Sequence, residues 1–76
     1  MATYNGHKNW NHWNVSLWIN NDEGLYYMAK EYANNYRKEA AARLMFHQLT
    51  VLQNITKTPD GARYSVSSIR AAMVGM

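Results

Sequence analysis

Apolar residues between positions 10 and 20 recur at a spacing that predicts a helix. Three tryptophans and a leucine follow the spacing i, i+3, i+7, i+8 of one helix face: Trp10, Trp13, Leu17 and Trp18. Asn9 stands where it can cap this helix. The stretch from Val15 to Ile19 also alternates apolar and polar residues, as in a half-buried strand. We favour the helix because Trp10 and Trp13 join the apolar stripe only at helical spacing.

A second helix is predicted to follow the polar run Asn20–Glu23. Asn21 or Asp22 can cap it, and Glu23 in the first turn suits the helix dipole. Its apolar face is spaced in steps of three and one, over Leu25, Met28, Ala29, Tyr32, Ala33 and Tyr36. We expect Asn34 and Asn35 to end or bend it.

Residues 37–54 carry the strongest helix signal. The stretch from Glu39 to Leu44 consists of strong helix formers, and Glu39 and Arg43 form a favourable i, i+4 pair. The apolar positions cover most of the circumference: Ala41, Leu44, Met45, Phe46, Leu49, Val51 and Leu52. Such a helix is central to a fold or shared with a second subunit. Gln48 lies inside the apolar sector, either as a hydrogen-bonded core residue or as part of a polar site.

A turn and a last helix complete the predicted fold. Thr58-Pro59-Asp60-Gly61 has proline and glycine at the second and fourth turn positions, and Ser65 or Ser67 can cap a helix that uses Val66, Ile69 and Met73. The fold class is therefore mainly α. We expect one small domain, 1–76, of three to four short helices packed around a central helix at about 37–54, with an arm or short strand in residues 1–8.

Composition explains how so short a chain could form a core. The 76 residues include three Trp, six Tyr, one Phe and no Cys, so disulfides and thiolate metal sites are excluded. A chain of this length buries only about 60% of its unfolded surface, and aromatic side chains each bury about 150–250 Å². We expect aromatic packing and self-association to stabilise it, and predict a homo-oligomer that buries Leu44, Phe46, Val51 or their neighbours.

Charge is divided unevenly along the chain. Residues 1–36 hold two lysines against three carboxylates, a net charge of −1, whereas residues 37–76 hold six basic against two acidic residues, a net charge of +4. The basic half could bind nucleic acid or an anionic nucleotide signal. The candidate anion-binding residues are Arg37, Arg43, His47, Arg63 and Arg70.

No pattern of residues indicates catalysis or a metal site. His7 and His12 are five positions apart, His47 stands alone, and Asp22 and Glu23 are adjacent and so point in different directions. We therefore expect no enzymatic activity, no cofactor and no metal. The chain also lacks a signal peptide and an apolar run of the roughly 18 residues that a membrane span needs, which predicts a cytoplasmic protein without a membrane partner.

Four segments of the N-terminal third form a recognisable pattern: Tyr4-Asn5-Gly6, Asn9, the stretch from Trp13 to Ile19, and Asn21 to Tyr26. In these segments the chain resembles a family of short phage- and plasmid-encoded proteins whose biochemical role is not established. The sequence departs from the family's pattern at His7, where an aromatic residue is common, and at His12, where threonine is usual. The match extends over about the first 26 residues and is weak beyond them.

The resemblance implies a genomic context more than an activity. Small phage proteins without catalytic motifs often bind and block host proteins. In the cytoplasm of the host cell, we expect a non-enzymatic protein that inhibits a host factor, such as a defence component, in an anti-CRISPR-like or other counter-defence role. Because Trp and Tyr are favoured interface anchors, the expected partner-binding residues are Tyr4, Trp10, Trp13 and Trp18, together with Asn5 and Asp22, which lie in the segments that carry the resemblance.

Overall fold

The computed structural model describes residues 8–76. Within this range the chain forms four α-helices, one π-helical turn and no extended strand. The helices are α1 (Trp10–Asn21), α2 (Glu23–Asn35), α3 (Lys38–His47) and α4 (Val66–Ala72), and the π-helical turn spans Gln48–Leu52. The predicted mainly α fold is confirmed. The arm or strand predicted in residues 1–8 lies, except for Lys8, outside the described residues.

Side-chain caps fix where three of the helices begin. Asn9 accepts a hydrogen bond from the His12 amide, and Asp22 accepts one from the Leu25 amide. At α4 a full capping box forms between Ser65 and Ser68, in which each side chain bonds the other residue's backbone amide. These bonds satisfy amides that have no partner within the helix. Ser65 is therefore the cap of α4, not Ser67.

The four helices form a closed ring in which each packs against two neighbours. The packed pairs are α1 with α2, α2 with α3, α3 with α4, and α4 with α1. Inside the ring lie aliphatic, methionine and small side chains, among them Ile19, Ala41, Met45, Leu49 and Ile69, all fully buried. Because Ala41 and Ala42 on α3 are small, its neighbours can approach it closely.

On α1, the buried face is not the tryptophan stripe that the spacing predicts. Val15 and Ile19 are fully buried and Asn14 is 2% exposed. Trp10 is exposed, whereas Trp13 and Trp18 are half-buried. A ring of short helices leaves room inside for β-branched residues of moderate size, so the larger indoles lie at its edge. The helix prediction for residues 10–20 is confirmed, and the alternative strand is wrong.

The helix predicted over 37–54 is α-helical only as far as His47, and the π-helical turn carries it to Leu52. There the Gln53 amide donates to the Gln48 carbonyl, an i→i−5 bond of 3.0 Å. Asn54 then adopts a positive φ of 54°, which ends the helix. The wider turn rotates later residues away from the α-helical register. As a result Leu52, which α-helical spacing places on the buried face, is exposed.

Candidate partner-binding surface

A network of polar side chains fastens the loop after the π-helical turn to α1. The Thr58 hydroxyl donates to Oδ1 of Asn14 at 2.6 Å, and Nδ2 of Asn14 donates to Oδ2 of Asp60 at 2.9 Å. Nε1 of Trp18 donates to the same Asp60 oxygen at 2.9 Å. The predicted turn forms as expected, with the Gly61 amide bonded to the Thr58 carbonyl. One turn thus presents a carboxylate to two donors on α1.

The electrostatics of this network follow from those bonds. Donation from Asn14 and then from Trp18 lowers the pKa of Asp60 below its ordinary value, because both bonds favour the charged carboxylate. Nearby, burial raises the pKa of the Tyr64 phenol, and the negative charge of Asp22 adds to the effect. Asp60 is therefore charged at neutral pH, and Tyr64 stays protonated.

Beside the network lies an apolar cavity of about 490 Å³, which we call the Trp18 cavity. It is bounded by α1, the first half of α2 and the loop over residues 53–64. Its apolar lining comes from all three: Trp18, Leu25, Met28, Ile55, Pro59 and Tyr64. Asp22 and Lys57, one acidic and one basic, also line it. Trp18 and Asp22, both predicted to bind a partner, therefore lie on one concave surface.

Exposed aliphatic residues lie on the chain segment that leads into this cavity. Val51 is 63% exposed, Leu52 is 64% exposed, and Ile55, part of the cavity lining, is 40% exposed. Three large aliphatic side chains within five residues are therefore accessible at the surface. They result from the π-helical turn, which directs Val51 and Leu52 outward, and from the bond of the Ile55 amide to the Leu49 carbonyl at 2.7 Å.

Trp10 and Trp13, the other described residues predicted to bind a partner, do not line the Trp18 cavity. Trp10 is 39% exposed, and Trp13 is half-buried. Eight residues at about 1.5 Å each place Trp10 roughly 12 Å from Trp18 along α1. Tyr4 and Asn5 lie outside the described residues.

The candidate anion-binding residues converge only in part. Arg43 and Arg70 both pair with the exposed carboxylate of Glu39, at 3.2 and 3.3 Å. Arg37 precedes the first turn of α3, and His47 ends that helix. The backbone of Arg63 pairs with the backbone of Lys57 in an isolated antiparallel β-bridge within the loop. The structure thus brings Arg43 and Arg70 together, but it places an acidic partner between them.

Two further features bear on what the surface can bind. Among residues 8–76, no three His, Asp or Glu side chains come close enough together to hold a metal ion. None of the helices in that range has the length and apolar character needed to cross a membrane.

Sequence comparison assigns the protein to a family along its whole length. Residues 1–76 match the profile of a family of unknown function, DUF7249. The chain belongs to DUF7249. No curated protein and no solved structure matches this DUF7249 chain.

Sequence reasoning missed several residues of the site in this DUF7249 protein. Asn14, Thr58 and Asp60 are predicted only as helix or turn residues, and Ile55 is given no role. The one available signal is the amide side chain of Asn14 between the apolar positions Trp13 and Val15. A buried polar side chain needs a partner, and its partners lie 44 and 46 residues further along the chain.

Proposed function

We propose that this protein is a non-enzymatic binding protein that docks on a host protein through the Trp18 cavity and blocks it. The observation that carries the proposal is an apolar cavity lined by Trp18, Leu25 and Ile55, of which Ile55 is 40% exposed. Apolar and aromatic anchors set in a pocket are the features that dominate binding energy at protein interfaces.

The lining of the cavity favours a protein partner with an apolar anchor and polar neighbours. Asp22 and Lys57 supply opposite charges beside the apolar wall, an arrangement typical of the polar rim of an interface. The wall itself is held rigidly, because Trp18 is anchored by Asp60. A preorganised surface loses less conformational entropy on binding.

Inhibition is proposed from the resemblance to phage- and plasmid-encoded proteins. A protein of this kind acts by covering a surface that its target needs, and a defence component of the host cell is the proposed target. This mode of action requires contact area and no reacting group.

The experiment is affinity capture from host lysate with paired variants. We expect Ile55→Glu to lose a partner that the wild-type protein retains, because a charge would be placed in the apolar lining. Val74→Glu is the matched control, since Val74 is 73% exposed and does not line the cavity. Ile55→Glu should weaken the affinity for a purified partner at least tenfold, which is about 1.4 kcal/mol or more. Val74→Glu should change that affinity little. Equal binding of both variants would rule out this surface.

An anion-binding function is the alternative, and Arg43 and Arg70 at their shared carboxylate are the observation that favours it. It predicts affinity for nucleic acid or a nucleotide that falls steeply with added salt. Glu39→Gln should strengthen such binding, because it removes the charge that neutralises both arginines. Binding that is indifferent to salt and to this substitution would exclude the alternative.

A further inference from the structure

A second cavity, at the other end of α2, combines aromatic rings with a carboxylate. It has a volume of about 620 Å³ and lies between the second half of α2 and the start of the π-helical turn. Its lining is Met28, Glu31, Tyr32, Asn35, Tyr36 and Gln48. We propose that this cavity, here called the Tyr32–Tyr36 cavity, binds a guanidinium group. Met28 lines both cavities, but the proposal uses no other residue of the Trp18 cavity and does not require that cavity to bind a partner.

Two tyrosine rings form the aromatic part of the cavity. The ring centroids of Tyr32 and Tyr36 lie 6.4 Å apart, and the ring planes are inclined at 43°. Tyr36 was predicted on the apolar face of α2, but it follows the last helical residue and is 52% exposed. Much of its ring is therefore open to a ligand. Guanidinium groups stack on such ring faces through cation–π attraction.

The charge in the cavity is a carboxylate that has no cationic partner. Within residues 8–76, Glu31 forms no ion pair, and the ion pairs found there involve Glu39 alone. The neighbouring cation on α2, Lys30, lies instead over the ring of Tyr26, with its Nζ 5.7 Å from the ring centroid. The Glu31 carboxylate is thus available to a cation that comes from outside the chain.

The amide side chains add hydrogen-bond acceptors. Nδ2 of Asn35 donates to the Glu31 carbonyl at 2.8 Å, which leaves its amide oxygen to accept from a ligand. Gln48 supplies a second amide from the facing element. A guanidinium group has five donors in one plane, so it can engage a carboxylate and amide oxygens while it stacks on a ring. An ammonium group, compact and strongly hydrated, matches this lining less well.

The first test is an NMR titration of the intact protein with arginine amide. We expect saturable shifts of Tyr32, Tyr36 and Gln48 resonances, with a dissociation constant on the order of millimolar for so small a ligand. Citrulline amide, which has the same shape without the charge, should not bind, and lysine amide should bind more weakly. Shifts of equal size for lysine amide and arginine amide, or none for arginine amide, would overturn the proposal.

Paired variants locate the site. Glu31→Gln should weaken arginine amide binding about fivefold, whereas Glu23→Gln removes the same charge from α2 outside the cavity and should leave binding unchanged. Tyr36→Leu should weaken it about threefold, and Tyr27→Leu is its control, since Tyr27 is exposed on the same helix and does not line the cavity. Equal effects within either pair would refute the assignment.

A last comparison distinguishes the source of the guanidinium. A short peptide with one central arginine should bind more tightly than arginine amide if the natural ligand is a protein side chain, and no more tightly if it is a free metabolite. The same peptide with lysine is the control. Each outcome leaves the guanidinium site in place, whereas failure of both arginine probes removes it. Ile55→Glu should not alter any of these titrations.

Discussion

At the scale of single residues, Asp60 shows how an exposed side chain can organise a surface. One of its oxygens accepts bonds from Asn14 and Trp18, two residues on successive turns of α1. Asn14 in turn accepts from the Thr58 hydroxyl, which also accepts from the Ala62 amide at 3.0 Å. The Asn14 side chain thus bonds both Thr58 and Asp60 of the loop. The position of the Trp18 indole, and with it the wall of the cavity, therefore depends on one carboxylate.

The lowered pKa of Asp60 predicts a pH-dependent contribution to stability. Its folded-state pKa lies below the ordinary value of 3.8, so the contribution is complete above that pH and is lost as the pH falls through the folded-state pKa. We expect Asp60→Asn to be less stable than the wild type at pH 7, with a difference that narrows below about pH 4. Thermal unfolding followed by circular dichroism from pH 7 to pH 2.5 measures it.

If the difference in unfolding temperature between Asp60→Asn and the wild type stays constant down to pH 2.5, the charge of Asp60 does not contribute to stability.

At the scale of helices, sequence signals located the ends of most elements and missed one distortion. Asn9, Asp22 and Ser65 are caps because their side chains bond the amide three residues ahead, a local interaction that the sequence displays. The π-helical turn has no such local signature. It depends on how the end of α3 packs, so the exposure of Leu52 could not be predicted from spacing.

The candidate site was predictable to a similar extent. Trp18 is predicted from its residue type and Asp22 lies in a segment that carries the family resemblance, and both line the Trp18 cavity. Ile55 and Tyr64 reach it only because the loop folds back on α1, through bonds between residues more than 40 positions apart. Pairings so distant along the chain leave no periodicity in the sequence.

The capping box of α4 predicts a specific loss of stability. With seven residues, α4 is too short to be stable on its own, and its first turn relies on Ser65. Ser65→Ala should lower the free energy of unfolding by about 1 kcal/mol. Urea denaturation measures the change, with Ser67→Ala as the matched control on the same turn. Ser67 makes an exposed hydrogen bond to His12, so Ser67→Ala should lower the free energy of unfolding by less. Equal decreases for the two variants would argue against a stabilising cap at Ser65.

At the scale of the whole molecule, the closed ring has exposed apolar residues at its edge. Leu44 is 39% exposed and Val51 is 63% exposed, whereas Phe46 packs partly buried against the core. Of the residues predicted at a self-association interface, Leu44 and Val51 thus remain accessible. Self-association stays a prediction of the sequence. Because Leu52 is exposed, we add it to the residues that a self-association interface would bury.

We expect light scattering on the purified protein at micromolar concentration to give the mass of a dimer or larger assembly. The double substitution Val51→Asp and Leu52→Asp should give a monomer with an unchanged circular dichroism spectrum, because both side chains are exposed and carry no core packing. Val74→Asp is the control for an added charge at an exposed aliphatic position. A monomeric wild-type protein would contradict the prediction.

The fastening of the loop to α1 has a consequence for how the molecule opens. Amides of ordinary loops exchange with solvent rapidly, but those of Thr58, Ala62 and Tyr64 are bonded within the loop or to its side chains. Asn14 and Asp60 make that loop part of the same structural unit as α1. Loop amides and α1 amides should therefore exchange deuterium together, with one shared opening free energy. In Asp60→Asn, the loop amides should exchange deuterium faster than the α1 amides.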